Sequence, residues 1–413
     1  KPLRSRKIER LALRGQYQCK SQQAEIRMFK KGPKVTSYIL LVAITISGIS
    51  TFMIYPLLVF RLLDVGASIG EIGLILGALS GTGRVCSFII GSANNRFGSK
   101  LTVCSGIFVR IIGISVFAFE SHIYSYIILS ALASIGSSAS ALGIKTELLR
   151  QSAERKLITM RSMAINSGAI VGPALGAALY HIFSFHIILY ISIGTYAILG
   201  TILTLTYFSP PESTSFADSH YEVNLNKYSS YIYITLIASA YWAIYSQWAI
   251  IVPLISTQAL GYEEASNLVY MANAVIVLTL QYPLVVVALK SVKDSTILLL
   301  GFSVFLASFA ALFIPSSVFM LALFCIGFSI AELLVSPTLD SQTAKVAPAG
   351  LGLTRAYGLQ DTITGIFSIG GSSIGGLAIE TIESPSATAF FGMPVTAIAI
   401  CLIVILKRFT YRR

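Results

Sequence analysis

The sequence predicts an all-α, polytopic membrane protein with twelve transmembrane helices. Of its 413 residues, 55% are hydrophobic and only 12% are charged, whereas soluble domains carry about 25% charged residues. Long stretches carry no charge, and runs of about 20 apolar residues are candidate membrane helices. Residues 182–207 and 296–313 lack the apolar–polar alternation that a membrane β-barrel requires.

Apolar runs and the polar breaks between them locate each helix in order along the chain. The predicted spans are residues 36–62, 69–92, 101–119, 122–148, 156–180, 185–208, 230–257, 264–289, 295–313, 317–338, 353–379 and 386–407. Residues 209–229 are the longest polar interruption after the N-terminal segment, and they predict a linker. The chain is thereby divided into two six-helix bundles, residues 35–208 and 230–407.

An internal repeat supports this division. Gly172 and Gly176 in the fifth helix recur 199 residues later as Gly371 and Gly375 in the eleventh. Two parallel repeats joined by a linker are typical of one large group of secondary transporters. The sequence therefore predicts two pseudo-symmetric halves.

Basic residues predict the orientation in the membrane. Residues 1–34 hold 11 of the 30 Lys and Arg, and the tail 408–413 and alternate loops hold many of the others. The positive-inside rule places both termini in the cytoplasm, and we expect a bacterial cytoplasmic (inner) membrane protein. This distribution argues against nucleic-acid binding. Residues 1–34 form either a solvated tail or an amphipathic helix on anionic lipid.

The five cysteines give no sign of a metal or disulfide site. They are Cys19, Cys86, Cys104, Cys325 and Cys401, and no CxxC or His-spaced pair occurs among them. We expect packing residues in a protein without metal or cofactor.

The segment after the second helix carries a recognisable pattern, with Gly91, Asn95, Arg96, Gly98 and Lys100 at characteristic positions. It resembles the signature loop of the major facilitator superfamily, in which an Asp stands where this chain has Asn95. The resemblance implies the major facilitator fold and a loop that latches the outward-facing state. With a neutral amide in place of the Asp, we expect a weaker latch.

The fifth helix reads Gly168-Ala-Ile-Val-Gly172-Pro173-Ala-Leu-Gly176. This looks like the motif of drug:proton antiporters, with Ala177 in place of a final Gly. Glycines four residues apart allow close helix approach, and Pro173 favours a bend. Segments 324–332 and 278–283 also resemble the twelve-helix multidrug efflux branch. The resemblance implies export, and generic small-residue packing is the alternative.

Four charged residues lie deep in predicted helices, where each costs roughly 2.5–3.5 kcal/mol or more. Glu332 and Asp361 share helix faces with small polar residues, and a buried carboxyl can carry a proton at physiological pH. They are the proton-coupling candidates, with static ion pairs as the alternative. Arg84 lies on a glycine-rich face and is either a substrate or gating contact or a structural pair, and Arg110 is favoured as structural.

Substrate contacts are predicted on the first two helices of the second half. Aromatic residues at helical spacing pack against lipid or protein more often than they bind a ligand, but opening helices of each half line the cavity in the resembled fold. The candidate substrate contacts, with Arg84, are Tyr241, Tyr245, Gln247, Trp248, Asn273 and Gln281.

Proton-coupled efflux of small organic molecules by alternating access is the favoured function. Because the N-terminal half is cationic around Arg84, the cargo is expected to be an anionic or zwitterionic metabolite or siderophore, with hydrophobic drugs as an option. The alternatives are a proton-coupled importer of an organic anion or siderophore, and a membrane enzyme or receptor. No HExxH motif supports an enzyme. Partners are the cargo, protons and membrane lipids, and we expect a monomer.

Overall fold

The computed structural model describes residues 36–119, 122–151, 155–209, 225–348 and 353–411. Every regular element within these ranges is a helix, as predicted. Ten helices are long and apolar enough to cross a membrane, and a bent pair of helices provides an eleventh span. A shorter apolar helix, Ala265–Gln281, completes a set of twelve in the predicted order.

Six of these helices form the N-terminal half. They are α1 (Thr36–Asp64), α2 (Ile69–Val85 and Ser87–Phe97, bent by 48° between the two parts), α3 (Ser99–Ala118), α4 (Ile123–Gln151), α5 (Arg155–Tyr180) and α6 (Phe185–Leu205). The α2 helix begins at a capping box, in which Ser68 accepts from the Glu71 amide and Glu71 accepts from the Ser68 amide.

The other six helices form the C-terminal half. They are α7 (Leu225–Tyr245 and Trp248–Leu260), α8 (Ala265–Gln281, continued by a π-helical turn at Tyr282–Ala288), α9 (Asp294–Ala311), α10 (Val318–Val346), α11 (Leu353–Ile382) and α12 (Ala389–Tyr411). The π-helical turn contains Pro283, which lacks a backbone donor and favours a departure from regular α-helix.

Several helix ends differ from the prediction. The α2 helix runs to Phe97, so Gly91, Asn95 and Arg96 lie on its last turns instead of in a loop. Only Gly98, with a φ of 87°, forms the turn that leads into α3. The α10 helix likewise runs to Val346. In both cases the prediction ended the helix where the sequence becomes polar. The helix leaves the apolar layer at that point, but its backbone hydrogen bonding continues.

Two of the predicted boundaries reach residues that the structure does not describe. The segment 1–34 lies entirely outside the described ranges, and so does most of the predicted linker 209–229. The last part of that linker is helical, because α7 begins at Leu225. At the other end, α12 continues to Tyr411, within the predicted tail 408–413.

The two halves repeat one packing arrangement. In each half the first and fifth helices approach through glycines, with backbone or side-chain atoms of one helix lying against glycines of the other. The contacting pairs are Gly172–Ile49 and Gly176–Met53 in the first half, and Gly371–Ala243 and Gly375–Gln247 in the second. Each second pair lies four residues beyond the first on both helices, as expected for parallel helices in a repeat.

The halves meet along α2 against α11 and along α5 against α8. Glycines allow α2 and α11 to approach closely, since a Cβ built on Gly73 would lie 3.0 Å from the Cα of Gly376. A Cβ built on Gly81 would lie 2.7 Å from the carbonyl oxygen of Gly365. The two halves can therefore move relative to each other only if these contacts between α2 and α11 change.

Two sides of the bundle are defined by its turns. The near side carries the Phe97–Ser99 turn and the far side carries the Asp64–Ser68 turn. On the far side, Glu380 at the end of α11 accepts hydrogen bonds from the Gly70 amide at 2.7 Å and from Ser68 at 3.0 Å. The far side of the interface between the halves is therefore closed in this structure.

A second far-side contact joins α5 to the turn before α8. The Tyr180 hydroxyl donates to Glu263 at 2.9 Å. Close by, Ser266 donates to the carbonyl oxygen of Pro56 at 3.4 Å. These bonds add to the closure that Glu380 provides.

Candidate functional site

Arg84 and Asp361 form an ion pair across the interface between the halves. Arg84 lies near the bend of α2, and its Nη1 is 3.5 Å from an Asp361 carboxylate oxygen on α11. The two side chains are 28% and 43% exposed, so the pair borders open space. The guanidinium carbon also lies 3.3 Å from the ring centre of Trp242 on α7, as in cation–π stacking. The static ion pair that was the alternative for these two charges is thus present.

Three aromatic side chains continue from this pair along α7. Trp242 packs edge-on against Tyr245 at 5.3 Å, and Tyr241 stacks on Tyr245 at 5.6 Å. Tyr241 is buried, whereas Trp242 and Tyr245 are half-buried. The exposed parts of these rings form an aromatic surface beside the charged pair.

Glu332 on α10 lies at the other end of the aromatic surface. It accepts a hydrogen bond from Asn273 Nδ2 of α8 at 3.1 Å and one from the Tyr245 hydroxyl. Asn273 also donates to Ser329, one turn before Glu332, at 2.9 Å. Both partners of this carboxylate are neutral.

Six of these residues therefore form a continuous chain of contacts, which we call the interface row. Its members are Asp361, Arg84, Trp242, Tyr245, Glu332 and Asn273. They come from five helices, of which α2 belongs to one half and the remaining four to the other. The row brings together five of the nine predicted proton and substrate residues and adds Trp242, which was not among them.

Two further charges act on the row from the near side. Lys145 on α4 and Asp340 on α10 interact electrostatically with each other, and both interact with Asp361. The Lys145 ammonium lies 6.0 Å from the ring centre of Tyr357. Asp340 was missed because helix ten was predicted to end at residue 338. A helical pattern that continues to Val346 is the signal that could have revealed it.

Besides Tyr241, which stacks on Tyr245, three predicted substrate contacts lie outside the row in this structure. Gln247 is fully buried at the break in α7 and packs on Gly375. Trp248 is also buried, between Phe324 and Phe328. Gln281 is half-buried at the end of the regular part of α8. The first two serve the packing of the C-terminal half in this conformation.

The signature segment lies at the near-side end of α2. Asn95 and Lys100 are exposed, and the Arg96 guanidinium lies 5.4 Å from the ring centre of Phe97. Asp294 occupies the corresponding place 199 residues later, and it bonds to Gln342 and Lys345 of α10. At this repeated position the C-terminal half therefore has a bonded carboxylate, Asp294, whereas the N-terminal half has an exposed amide, Asn95.

The predicted antiporter motif on α5 faces α1 inside the N-terminal half. Cβ atoms built on Gly168, Gly172 and Gly176 would lie 2.5–2.8 Å from atoms of α1. Pro173 lies within the helix beside them. In this structure the motif brings the two helices into backbone contact.

Among the residues that the structure describes, no group of three or more His, Cys, Asp or Glu side chains is arranged to hold a metal ion.

Comparison with known proteins identifies the family. Residues 40–379 match the family model of the Major Facilitator Superfamily. The chain belongs to this superfamily. It is thus an integral membrane transporter, and its twelve helices form the major facilitator fold.

Curated relatives give finer comparisons. The chain is 27% identical over 315 residues to multidrug resistance protein MdtH of Aeromonas salmonicida, covering 72% of this chain and 76% of the relative. It is 25% identical over 361 residues to the uncharacterized MFS-type transporter YqjV of Bacillus subtilis, covering 83% and 86%.

Solved structures agree on the fold. A POT family transporter in complex with 5-aminolevulinic acid matches with a TM-score of 0.71 at 16% identity, covering 91% of this chain and 96% of that one. The POT family transporter PepTSo matches with a TM-score of 0.71 at 13% identity.

Proposed function

We propose that the protein exports small organic molecules from the cytoplasm in exchange for protons, by alternating access at the interface row. The observation that carries this proposal is the setting of Glu332. Its carboxylate is held by an amide and a phenol, so protonation breaks no ion pair. A group of this kind can take up a proton on one side and release it on the other.

The charge of the row supports a cationic or zwitterionic amphipathic cargo. Asp361 compensates the positive charge of Arg84, and Glu332 then leaves the row with one excess negative charge. The faces of Trp242 and Tyr245 offer a stacking surface for a flat organic cation. The anionic cargo favoured from Arg84 alone has less support, because that expectation did not include the pairing with Asp361.

Direction and sidedness rest on sequence and on relatives. The basic segment and the near-side charges favour the near side as cytoplasmic, in a bacterial inner membrane. Relatives named as multidrug resistance proteins favour export. Uptake of an organic anion is the second candidate.

Transport in inside-out vesicles tests the proposal. We expect a pH gradient to drive uptake of ethidium, an amphipathic cation, in preference to carboxyfluorescein, an organic anion. Glu332→Gln should abolish the pH-driven accumulation but keep ethidium counterflow, since exchange needs no net proton movement. Glu383→Gln, an acid outside the row, is the matched control.

Other outcomes would contradict specific parts of the proposal. Full pH-driven accumulation by Glu332→Gln would show that Glu332 does not carry the proton. Preferential transport of carboxyfluorescein, especially in right-side-out vesicles, would favour the anion importer.

A further inference from the structure

A second polar site lies inside the N-terminal half, away from the interface row. Arg110, near the middle of α3, is 8% exposed. Its Nη1 donates to Ser137 of α4 at 3.0 Å and its Nη2 donates to Thr51 of α1 at 2.8 Å. Its guanidinium carbon lies 4.5 Å from the ring centre of Tyr196 on α6. Four helices thus position one guanidinium.

The charge of this guanidinium lacks an ion-pair partner in the described part of the chain. Among the described residues, no carboxylate lies within ion-pair distance of Arg110. Its two hydroxyl partners are neutral and use two of the five N–H donors of a guanidinium. A buried charge is normally paired, so this arrangement lacks an anionic partner.

A cavity lies beside the guanidinium. Its volume is about 160 Å³, well above what a single water molecule needs. Arg110 and Tyr196 line it, together with the hydroxyl-bearing residues Thr51, Ser134 and Ser137. The hydroxyls of Thr51 and Tyr196 already donate to the Ser47 carbonyl. The cavity therefore combines one uncompensated cation with the hydroxyls of Ser134 and Ser137 in a space that suits a small ion.

We propose that this cavity binds a small monovalent anion, such as chloride, formate or acetate, between Arg110 and the surrounding hydroxyls. A carboxylate accepts two parallel hydrogen bonds from a guanidinium, and a halide accepts converging ones. The site is distinct from the interface row and does not depend on which acid carries the proton.

The position of the cavity links the anion to the transport cycle. Ser80 of α2 lines the cavity, and its hydroxyl lies 3.4 Å from that of Ser368 on α11. This contact crosses the interface between the halves, one turn from Arg84. Occupancy of the cavity thus acts on a helix that must change its contacts during alternating access.

The test is thermal unfolding of the purified protein, titrated with sodium chloride, formate or acetate against sodium gluconate at constant ionic strength. Ligand binding to the folded state raises the melting temperature. We expect a saturable rise for the wild type. Arg110→Gln should weaken the apparent affinity roughly 30-fold or more, and Arg110→Lys should have a smaller effect.

Two further variants keep the test decisive. Arg61→Gln removes a second buried arginine, which is also 8% exposed and donates to the Phe117 carbonyl, and it should keep the wild-type response. Ser137→Ala keeps Arg110 and should weaken the anion response if Arg110→Gln fails to fold. No anion response in the wild type, or an unchanged response in Arg110→Gln or Ser137→Ala, would overturn the proposal.

Discussion

Arg84 makes two contacts that can be separated by substitution. Its ion pair with Asp361 is a single 3.5 Å contact between partly exposed side chains, whereas its face lies on the Trp242 ring. Exposed pairs of this kind contribute about 0.2–1 kcal/mol because water screens them. Lys retains the charge but lacks the planar group that stacks.

A double-mutant cycle should measure the pair. We expect Arg84→Ala and Asp361→Asn each to lower the melting temperature, and the double variant to recover part of the loss. The coupling energy should be about 0.5–1 kcal/mol. Additive effects of the two substitutions on stability would show that the ion pair between Arg84 and Asp361 contributes no coupling energy.

At the scale of elements, Gly168, Gly172 and Gly176 form a glycine stripe on α5 that allows α1 to pack closely against it. A Cβ built on Gly172 would lie 2.8 Å from both the Ile49 carbonyl oxygen and the Phe52 Cβ. Neither atom is the end of a flexible side chain, so α1 and α5 must separate to admit it. In the C-terminal half, a Cβ on Gly371 would meet the backbone of Ala243 in the same way.

We therefore expect Gly172→Ala to destabilise the protein by about 1–3 kcal/mol through overpacking, and Gly371→Ala to do the same. Gly194 on α6 is the matched control, because a Cβ there meets nothing within 4 Å. Gly194→Ala should be neutral or stabilising, since Ala favours helix over Gly. Equal melting temperatures for all three variants would refute this account of the stripe.

Much of this architecture follows from the sequence, because an apolar layer requires continuous apolar helices with internally bonded backbones. The order of the twelve helices and the glycine repeat were predicted on this basis. The ends of α2 and α10 were not, because helix continues past the apolar layer. Because the predicted end of α10 came too early, Asp340 was not recognised as a residue near the site. The burial of Gln247 and Trp248 depends on a break in α7, which periodicity does not reveal.

At the scale of the whole molecule, Glu380 connects the halves on the far side. Its carboxylate bonds to the first turn of α2, through the Gly70 amide and Ser68. A negative charge at the N-terminus of a helix is stabilised by about 0.3–1 kcal/mol. This bond must break whenever the far side opens.

Glu380→Gln should therefore shift the protein towards conformations with an open far side, by roughly two- to fivefold in population. The measurement is labelling of a cysteine introduced on the far side of the interface with a membrane-impermeant maleimide. Glu383→Gln removes a neighbouring charge and is the control. Equal labelling of the two variants would show that Glu380 does not hold the far side closed.

On the near side, the last turn of α2 carries the amide of Asn95 and not a carboxylate. A Cβ built on Gly358 of α11 would lie 3.6 Å from Phe88 of α2, and the two helices are antiparallel. Asn95 lies seven residues beyond Phe88 on α2, towards the end of the interface at which α11 begins. Its amide carries no charge to interact with that helix N-terminus.

Asn95→Asp supplies this charge, and we expect it to stabilise conformations in which the near side is closed. The gain at a helix N-terminus, about 0.3–1 kcal/mol, corresponds to a two- to fivefold rise in far-side cysteine labelling. Ser92→Asp places the same charge three residues earlier on α2, about 4.5 Å further from that helix end, so it should have a smaller effect. Because Asn95 and Glu380 lie at opposite ends of the interface, combining Asn95→Asp with Glu380→Gln should add the two shifts. An equal response to Ser92→Asp would attribute the effect to net charge and not to the helix end.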